Sequence, residues 1–381
     1  MSHTLFRRVA ISASAAALSL ASGAATAQAA STPGWRTVAT ASNQSLFFTV
    51  AAAGQRHAWA VGFGPVSETK FVAVVRQWNG SSWTAVSLPA KVRSALGSEP
   101  IVDAASATSP SSMWALSETG DWLHYDGSAW TAGRVTGASI LDASVAAGQN
   151  EWAFGSYINS SGLVPYAAYA TDKNGKISWT RTPVPGTGSI ADASALSSSD
   201  IWALTGGGVF GFGGSSFVLL HYDAGRWHKI ATLPAALRGD EAHSVFARSD
   251  SDVWVGAAVK NSKKGTTEAV AHWNGREWAT ADLPAPASAG HFGIESIVPD
   301  GAGGLWALSL CLAQNCPGTG ASRLWHETGG HWAGPVEPTL ARKHTVLIGL
   351  AAVGHSVWAA GAVVSGQNNA RGLIALWGPT P

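Results

Sequence analysis

The sequence predicts an all-β chain in which seven four-stranded antiparallel sheets, the blades, surround a central channel as a seven-bladed β-propeller. Three observations predict this fold. One tryptophan recurs seven times in a similar apolar context, a second tryptophan follows a glycine-containing turn in most repeats, and a strand-like segment precedes the first repeat. Repeats of about 40 to 50 residues that each hold four short strands are typical of propeller blades.

The first repeated tryptophan marks the second strand of each predicted blade. It stands among small and apolar residues, as in the segment Ala58–Gly62. Because an aromatic ring buries about 150–250 Å², we expect these rings to fill the space between neighbouring sheets. The seven copies are Trp59, Trp114, Trp152, Trp202, Trp254, Trp306 and Trp358.

The second repeated tryptophan marks the fourth strand. It usually follows a tight turn such as Asn79-Gly80 or Asn274-Gly275, and turns of this kind join antiparallel strands because glycine accepts positive φ. Helical periodicity is not apparent after residue 29. The copies are Trp83, Trp130, Trp179, Trp227, Trp278 and Trp332.

The two ends of the chain predict how the ring closes. The last repeat stops at Pro381 after its third strand, whereas Pro33–Val38 resembles the fourth-strand segment Ser82–Val86 but precedes blade one. We therefore expect the N-terminal strand to complete the last blade. Such closure removes an exposed sheet edge.

Residues 1–29 have the features of a cleaved signal peptide. Arg7 and Arg8 precede an apolar run from Val9 to Ala21, and Ala27-Gln28-Ala29 is a processing-type triplet. Export by the general or the twin-arginine route stays open. No apolar stretch of about 18 residues follows, so we expect a secreted protein without a membrane anchor. We expect residues 30–381 to form one propeller domain and the protein to be a monomer.

The charge balance excludes one class of partner. The chain has 24 Lys and Arg against 23 Asp and Glu, and only 12% of its residues are charged. Binding to nucleic acid relies on an excess of basic side chains that neutralise phosphates. We therefore expect no nucleic-acid partner.

The tryptophan repeat, the glycine turns and the closing strand resemble secreted bacterial seven-bladed propellers of the kelch or galactose-oxidase-central-domain kind. The resemblance covers Thr32–Pro381 and implies architecture rather than function. The chain departs from kelch repeats because single glycines, Gly62, Gly155 and Gly256, stand where a regular di-glycine is expected. Copper-radical chemistry, as in galactose oxidase, would need a crosslink between a tyrosine and a cysteine. Because the two cysteines are expected to pair with each other, we do not expect this chemistry.

Acidic residues recur at the start of the predicted innermost strands, ten or eleven residues before the first tryptophan. If these strands line the channel, the carboxylates converge at its mouth. Their repulsion would favour a bound cation such as calcium or raise a pKa toward acid–base use. Alternatively, each carboxylate caps backbone amides of the neighbouring blade. The residues are Asp103, Asp142, Asp192, His243 and Glu295, with Thr49 and Ile348 in the remaining blades.

Three further features are candidates for specific roles. Trp122 has no counterpart in other blades and is the candidate for stacking on a sugar. Arg342 lies in a blade connection on the same predicted face as His243. Cys311 and Cys316 have a spacing that suits a small disulfide loop in an oxidising compartment. Metal binding by these thiols is the rival interpretation, but a tetrahedral site would need further ligands.

Function is the least determined property. The loops between second and third strands vary in length and composition, which is typical of a recognition face. We expect a non-enzymatic secreted propeller that binds a carbohydrate or a protein partner through this face at the channel mouth. The alternatives are a glycan-active hydrolase or lyase using the acidic and histidine residues there, and a scaffold without a small ligand. The common catalytic motifs of hydrolases, metalloproteases and nucleotide-binding enzymes are absent from the sequence.

Overall fold

The protein is described by a computed structural model. Within the described residues the chain forms 28 strands in seven four-stranded sheets. The proposed signal peptide lies outside them. The described residues are 34–41, 44–67, 70–96, 102–148, 150–173, 175–207, 217–237, 241–261, 265–281, 283–284, 292–311, 321–336, 340, 344–364 and 370–379.

Each sheet is an antiparallel meander, and the first strand of each blade is innermost. The strands before and in blades one to three are β1 (Arg36–Thr40), β2 (Leu46–Ala52), β3 (Ala58–Ser67), β4 (Lys70–Trp78), β5 (Trp83–Val86), β6 (Val102–Ser109), β7 (Ser112–Ser117), β8 (Asp121–Tyr125), β9 (Trp130–Arg134), β10 (Ile140–Ala147), β11 (Asn150–Asn159), β12 (Gly162–Lys173) and β13 (Lys176–Thr182).

Blades four to seven continue in the same order. Their strands are β14 (Ser189–Ser197), β15 (Asp200–Gly206), β16 (Phe217–Asp223), β17 (Arg226–Thr232), β18 (Glu241–Ser249), β19 (Asp252–Asn261), β20 (Gly265–Trp273), β21 (Trp278–Ala281), β22 (Phe292–Pro299), β23 (Leu305–Cys311), β24 (Ser322–Thr328), β25 (His331–Val336), β26 (His344–Val353), β27 (Ser356–Val364) and β28 (Ala370–Trp377). The predicted seven-bladed, all-β fold is confirmed.

The ring closes through the N-terminal strand. The last sheet has the order β1-β28-β27-β26, and β1 pairs antiparallel with β28 so that Arg36 lies opposite Leu376. Next to this pair, the rings of Trp35 and Trp377 lie 5.4 and 5.3 Å from the ring of Trp306 in blade six. The predicted closure is therefore confirmed.

The repeated tryptophans form the core between blades. Trp358 of blade seven is fully buried, and its ring lies 5.3 Å from Trp78 and 5.1 Å from Trp83 of blade one. Trp152 of blade three packs in the same way 5.0 Å from Tyr222 of blade four. Each blade thus covers the apolar face of its neighbour.

A short helix differs from the expectation of a chain without helices. Helix α1 (Ala90–Ala95) and a 3₁₀ turn at Ala235–Leu237 lie in connections between blades. Val92 of α1 is buried together with Leu88 and Leu96. A helix of this length is too short for a 3.6-residue period to be visible in the sequence. Among the described residues, no helix has the length and apolar character needed to cross a membrane.

Every innermost strand contains a β-bulge near its start, at the end of the channel that also carries the loops between second and third strands. Opposite the bulge, a Cβ on Gly62 would lie 1.8 Å from the Leu46 carbonyl oxygen, and one on Gly361 would lie 2.0 Å from that of Val346. Glycine is required there because the bulged backbone approaches so closely. The bulged residues are Phe48, Asp103, Asp142, Ala191, His243, Glu295 and Ile348.

A buried ion pair joins blades five and six. Arg323 Nη1 lies 2.9 Å from Glu268 Oε1, and both side chains are 2% exposed. The Ser309 hydroxyl donates to the same carboxylate oxygen, and the Arg323 guanidinium lies 3.6 Å from the ring centre of Phe292. Such a pair is costly to break because the remaining charge stays buried.

Truncation tests the closure of the ring. A chain that begins at Gly34 keeps β1, whereas one that begins at Ala41 lacks it. We expect the second chain to unfold at a temperature several degrees lower and to aggregate, because its β28 edge and the Trp306 ring become exposed. Thermal unfolding followed by circular dichroism measures the difference, and equal midpoints for the two chains would contradict the role of β1.

Candidate functional site

The bulges bring polar side chains from several blades to one end of the channel, the mouth. A cavity of about 190 Å³ lies there. Four of the five acidic or histidine positions singled out in the sequence line it: Asp142, Asp192, His243 and Glu295. The other lining residues are mostly small or apolar and include Phe48, Thr49, Ser144 and Ile348.

Two of the carboxylates also bind the neighbouring blade. The backbone N–H of Val245 in blade five donates to Asp192 Oδ2 at 2.8 Å. The hydroxyl of Ser189 in blade four donates to Asp142 Oδ2. Asp192 therefore both caps a backbone amide of the next blade and lines the cavity, whereas Asp142 lines the cavity and is bound by a serine hydroxyl of the next blade.

The third acid of the cavity faces the histidine. His243 Nδ1 lies 3.6 Å from Glu295 Oε1, and the two side chains are 3% and 13% exposed. Within the described part of the chain, Glu295 Oε1 accepts no hydrogen bond. The carboxylate therefore retains the capacity to accept a hydrogen bond from a ligand.

Burial makes the cavity unfavourable for uncompensated negative charge. It raises the pKa of Asp192 to about 7, and the nearby Glu295 carboxylate adds to the rise, while the hydrogen bond from the Val245 amide opposes it. No Lys or Arg belongs to the described lining of the cavity. A cation bound there would favour the ionised carboxylates.

In blades one and four, the structure places the bulge one residue earlier than the position inferred from the sequence. Phe48 and Ala191, rather than Thr49 and Asp192, occupy the bulge in blades one and four. In blades three and seven the bulge stands one residue closer to the tryptophan than in the others, so counting back from the tryptophan does not find equivalent positions. Asp192 lines the cavity because it directly follows the bulge. The sequence analysis missed Phe48 for the same reason.

Trp122 lies in the core and not at the mouth. Its side chain is only 7% exposed, and its ring lies 5.5 Å from that of Trp114. A Cβ on Gly133 would lie 2.5 Å from the Trp122 ring. Because other residues cover both the ring and its surroundings, the expected sugar-stacking role of Trp122 is not supported by its position.

The remaining candidates are only partly described. The backbone of Asp103 lies at the bulge of β6, and its side chain is outside the described residues, as are Arg342 and Cys316. Cys311 is buried at the end of β23. The Cys311–Cys316 disulfide and the role of Arg342 therefore stay predictions.

The expected calcium ion also stays a prediction. Calcium takes six to eight oxygen ligands. The described acids of the mouth do not bring three ligand atoms within 4.8 Å of one another. Asp142, Asp192 and Glu295 alone would therefore have to move closer together to hold such an ion.

Long hairpins stand at the mouth end, among them those of blades one and three. β3 and β4 form the hairpin of blade one, and β11 and β12 that of blade three. Val66 and Ile158, near the ends of these hairpins, are 61% and 65% exposed. Two exposed apolar side chains therefore lie at the same end of the ring as the polar cavity.

Comparison with known proteins supports the fold and assigns no family. No protein-family model and no curated protein matches the sequence. Among solved structures, the chain is similar to the RRP9 WD40 repeats (10% identity, TM-score 0.58, 90% of this chain and 96% of that chain). It is also similar to YCF48 bound to D1 peptide (15%, 0.56, 91% and 97%). A third similar structure is Chaetomium thermophilum Sqt1 bound to the N-terminus of ribosomal protein L10 (11%, 0.53, 90% and 90%). At these identities the similarity shows the seven-bladed fold alone.

The pKa of Asp192 predicts a pH dependence of stability. Because its pKa rises from 3.8 to about 7, the folded protein binds this proton more tightly than the unfolded chain does. Its contribution therefore stabilises the fold at low pH and is lost as pH rises from about 4 to about 7. Each pKa unit corresponds to about 1.4 kcal/mol.

Asp192→Asn keeps the side-chain shape and removes the titration. We expect this variant to gain about 2–4 kcal/mol relative to the original protein between pH 4 and pH 7, measured by urea unfolding at a series of pH values. Asp223→Asn, at a half-exposed carboxylate of blade four, is the control. A constant difference between Asp192→Asn and the original protein at all pH values would contradict the prediction.

Proposed function

We propose that this chain is an extracellular, non-enzymatic binding module that holds a protein partner at the channel mouth and takes a basic group of the partner into the cavity. One observation carries the proposal: Asp142, Asp192 and Glu295 line a single cavity whose described residues include no Lys or Arg. A lysine side chain, an arginine side chain or an N-terminal amine of the partner would place a positive charge beside these carboxylates.

The size of the cavity favours a side chain over a saccharide. Pockets for small-molecule ligands usually measure about 300–1,000 Å³, whereas this cavity measures about 190 Å³. Saccharides are commonly bound on exposed aromatic faces, but Phe48, the aromatic residue of the described lining, is 5% exposed. A single side chain from a larger partner fits this volume better.

Exposed apolar side chains at the mouth end would contact the rest of such a partner. Val66 and Ile158 are exposed on hairpins at the same end of the ring as the mouth, and apolar contacts of this kind contribute to protein interfaces. Two propellers of similar fold bind polypeptide segments, namely YCF48 with a D1 peptide and Sqt1 with the N-terminus of L10. The fold is thus compatible with the proposed mode of binding.

Two of the acids also contribute to the contacts between blades. Asp142 and Asp192 each accept a hydrogen bond from the next blade, so both carboxylates have a structural task and a fixed orientation. A hydrolase would use one acid as proton donor and a second carboxylate as base or nucleophile. The glycan-active alternative is tested by incubating the protein with a glycan array and analysing for cleaved glycan.

The proposed location rests on the N-terminal sequence. Residues 1–29 have the pattern of a cleaved leader, and the nearly balanced charge of the remaining chain gives no reason to expect a nucleic-acid partner. We infer that the partner is met outside the cytoplasm.

A peptide selection tests the function. The full propeller is used to select binders from a random peptide library, and each selected peptide is then compared with a copy in which norleucine replaces lysine. We expect selected peptides to contain a basic residue and to lose at least about tenfold in affinity without it, as one charge-assisted hydrogen bond is worth about 1.5–3 kcal/mol. Affinity should rise from pH 6 to pH 8, because Asp192 becomes ionised in this range.

Glu295→Gln gives the matched variant. Glu295 Oε1 accepts no hydrogen bond from the described residues, so the amide should leave folding intact while weakening binding of the lysine peptide. Glu277→Gln, on an exposed turn at the other end of the ring, is the control and should bind normally. Binders without a basic residue, or binding unchanged in Glu295→Gln, would contradict the proposal.

Binding to a glycan array would favour a carbohydrate ligand, and release of cleaved glycan would favour an enzyme.

A further inference from the structure

A second group of polar side chains lies at the end of the ring opposite the mouth. In three consecutive blades, four to six, a histidine of the third strand stacks on the repeated tryptophan of the second strand. The ring centres are 4.1 Å apart for Trp202 and His221. The corresponding distances are 4.3 Å for Trp254–His272 and 4.2 Å for Trp306–His326. Stacking fixes the imidazole plane in each case.

Each of these histidines lies close to an aspartate of its own blade. Nε2 of His221, His272 and His326 is 2.8, 3.0 and 3.0 Å from a carboxylate oxygen of Asp200, Asp252 and Asp300, respectively. The repeated pair is a structural feature of the blade, because it recurs with the same geometry. Any function must depend on a feature that differs between blades.

The aspartates of blades five and six have several further partners. Asp252 also accepts a hydrogen bond from Trp254 Nε1 at 2.6 Å and lies 3.5 Å from Arg248. Asp300 also accepts hydrogen bonds from the backbone N–H groups of Ala302 and Gly304. Both carboxylates are therefore held by groups that compete with any added ligand.

Blade four has a second carboxylate instead. Asp250, in the turn between β18 and β19 of blade five, places Oδ1 3.9 Å from His221 Nε2. The ligand atoms of Asp200, His221 and Asp250 all lie within 4.8 Å of one another. Among the described residues, this is the one group of three potential metal-ligating side chains at such distances.

The geometry points to a zinc site formed by Asp200, His221 and Asp250, which joins blade four to blade five. Imidazole nitrogen and carboxylate oxygen bind zinc at about 2.0–2.2 Å. The Asp250 side chain is 73% exposed, so it can rotate toward the ion without disturbing the core. Three protein ligands leave the fourth position of a tetrahedral zinc ion for water.

The surroundings favour zinc over calcium. Calcium prefers six to eight oxygen ligands, whereas imidazole suits zinc and similar transition metals. His221 is held rigidly by its stack on Trp202, which fixes one ligand in advance. Because Asp250 belongs to the neighbouring blade, zinc bound here would link two blades and stabilise the folded ring by mass action.

Titration of the full chain with zinc alone tests the site. We expect one zinc ion to bind per chain with micromolar affinity by calorimetry and to raise the midpoint of thermal unfolding. The imidazole NMR signals of His221 should shift in the same titration. Asp250→Asn should fold normally, because the side chain is exposed, and should lose at least about tenfold in zinc affinity.

Asp223→Asn is the matched control. It removes the carboxylate of another histidine–aspartate pair in blade four, in which His228 Nε2 lies 2.9 Å from Asp223 Oδ1. The described part of the chain offers this pair no third ligand. The control should bind zinc as the original chain does. Absence of one-to-one binding, unchanged affinity in Asp250→Asn, or equal losses in both variants would overturn the proposal.

Discussion

The fold depends on aromatic packing between the faces of successive sheets. A four-stranded sheet with an apolar face is not stable alone in water, and each blade here covers the tryptophan of the blade before it. Trp152 packs on blade four and Trp358 packs on blade one. Each blade therefore needs the next blade to cover its tryptophan. The tryptophan of blade six, Trp306, is covered by Trp35 and Trp377 together, which come from the two ends of the propeller. The closing strand is thus part of the same packing scheme as the other blades.

The packing also determines where polar chemistry can occur. Within a blade the second strand is almost fully buried, and polar residues remain at its two ends. At the mouth, bulges turn side chains of the innermost strands toward the channel, and glycines such as Gly361 allow the backbone to approach. At the opposite end, the ring of Trp202 stacks on His221 and fixes the imidazole plane. The two proposed sites therefore lie at opposite ends of one structural unit.

Much of the fold could be predicted from the sequence because it repeats. The tryptophan period identified the blades, and the similarity of Pro33–Val38 to the fourth strands identified the closing strand. The site was less predictable. Phe48 was missed because hairpin length changes the spacing between bulge and tryptophan, and Trp122 was misinterpreted because rarity in the sequence carries no information on burial.

The proposed zinc ligands show a second limit. Asp200, His221 and Asp250 are separated by 21 and 29 positions and come from two blades, so no local spacing rule connects them. Their proximity depends on which turn of blade five lies beside which strand end of blade four. Both segments can be found in the sequence, but the angle between adjacent sheets, which decides whether they meet, cannot be predicted from it. Only the packed ring brings the three side chains together.

The pairing of β1 with β28 also sets the orientation of the molecule relative to anything attached to it. Arg36 begins β1 and Leu376 lies near the end of β28 as its partner, so both termini of the folded ring emerge side by side, at the end that carries the turns between third and fourth strands. A fusion partner, an affinity tag or a surface linkage at either terminus would therefore point away from the channel entrance. Immobilised through its ends, the protein would present that entrance freely to the solution.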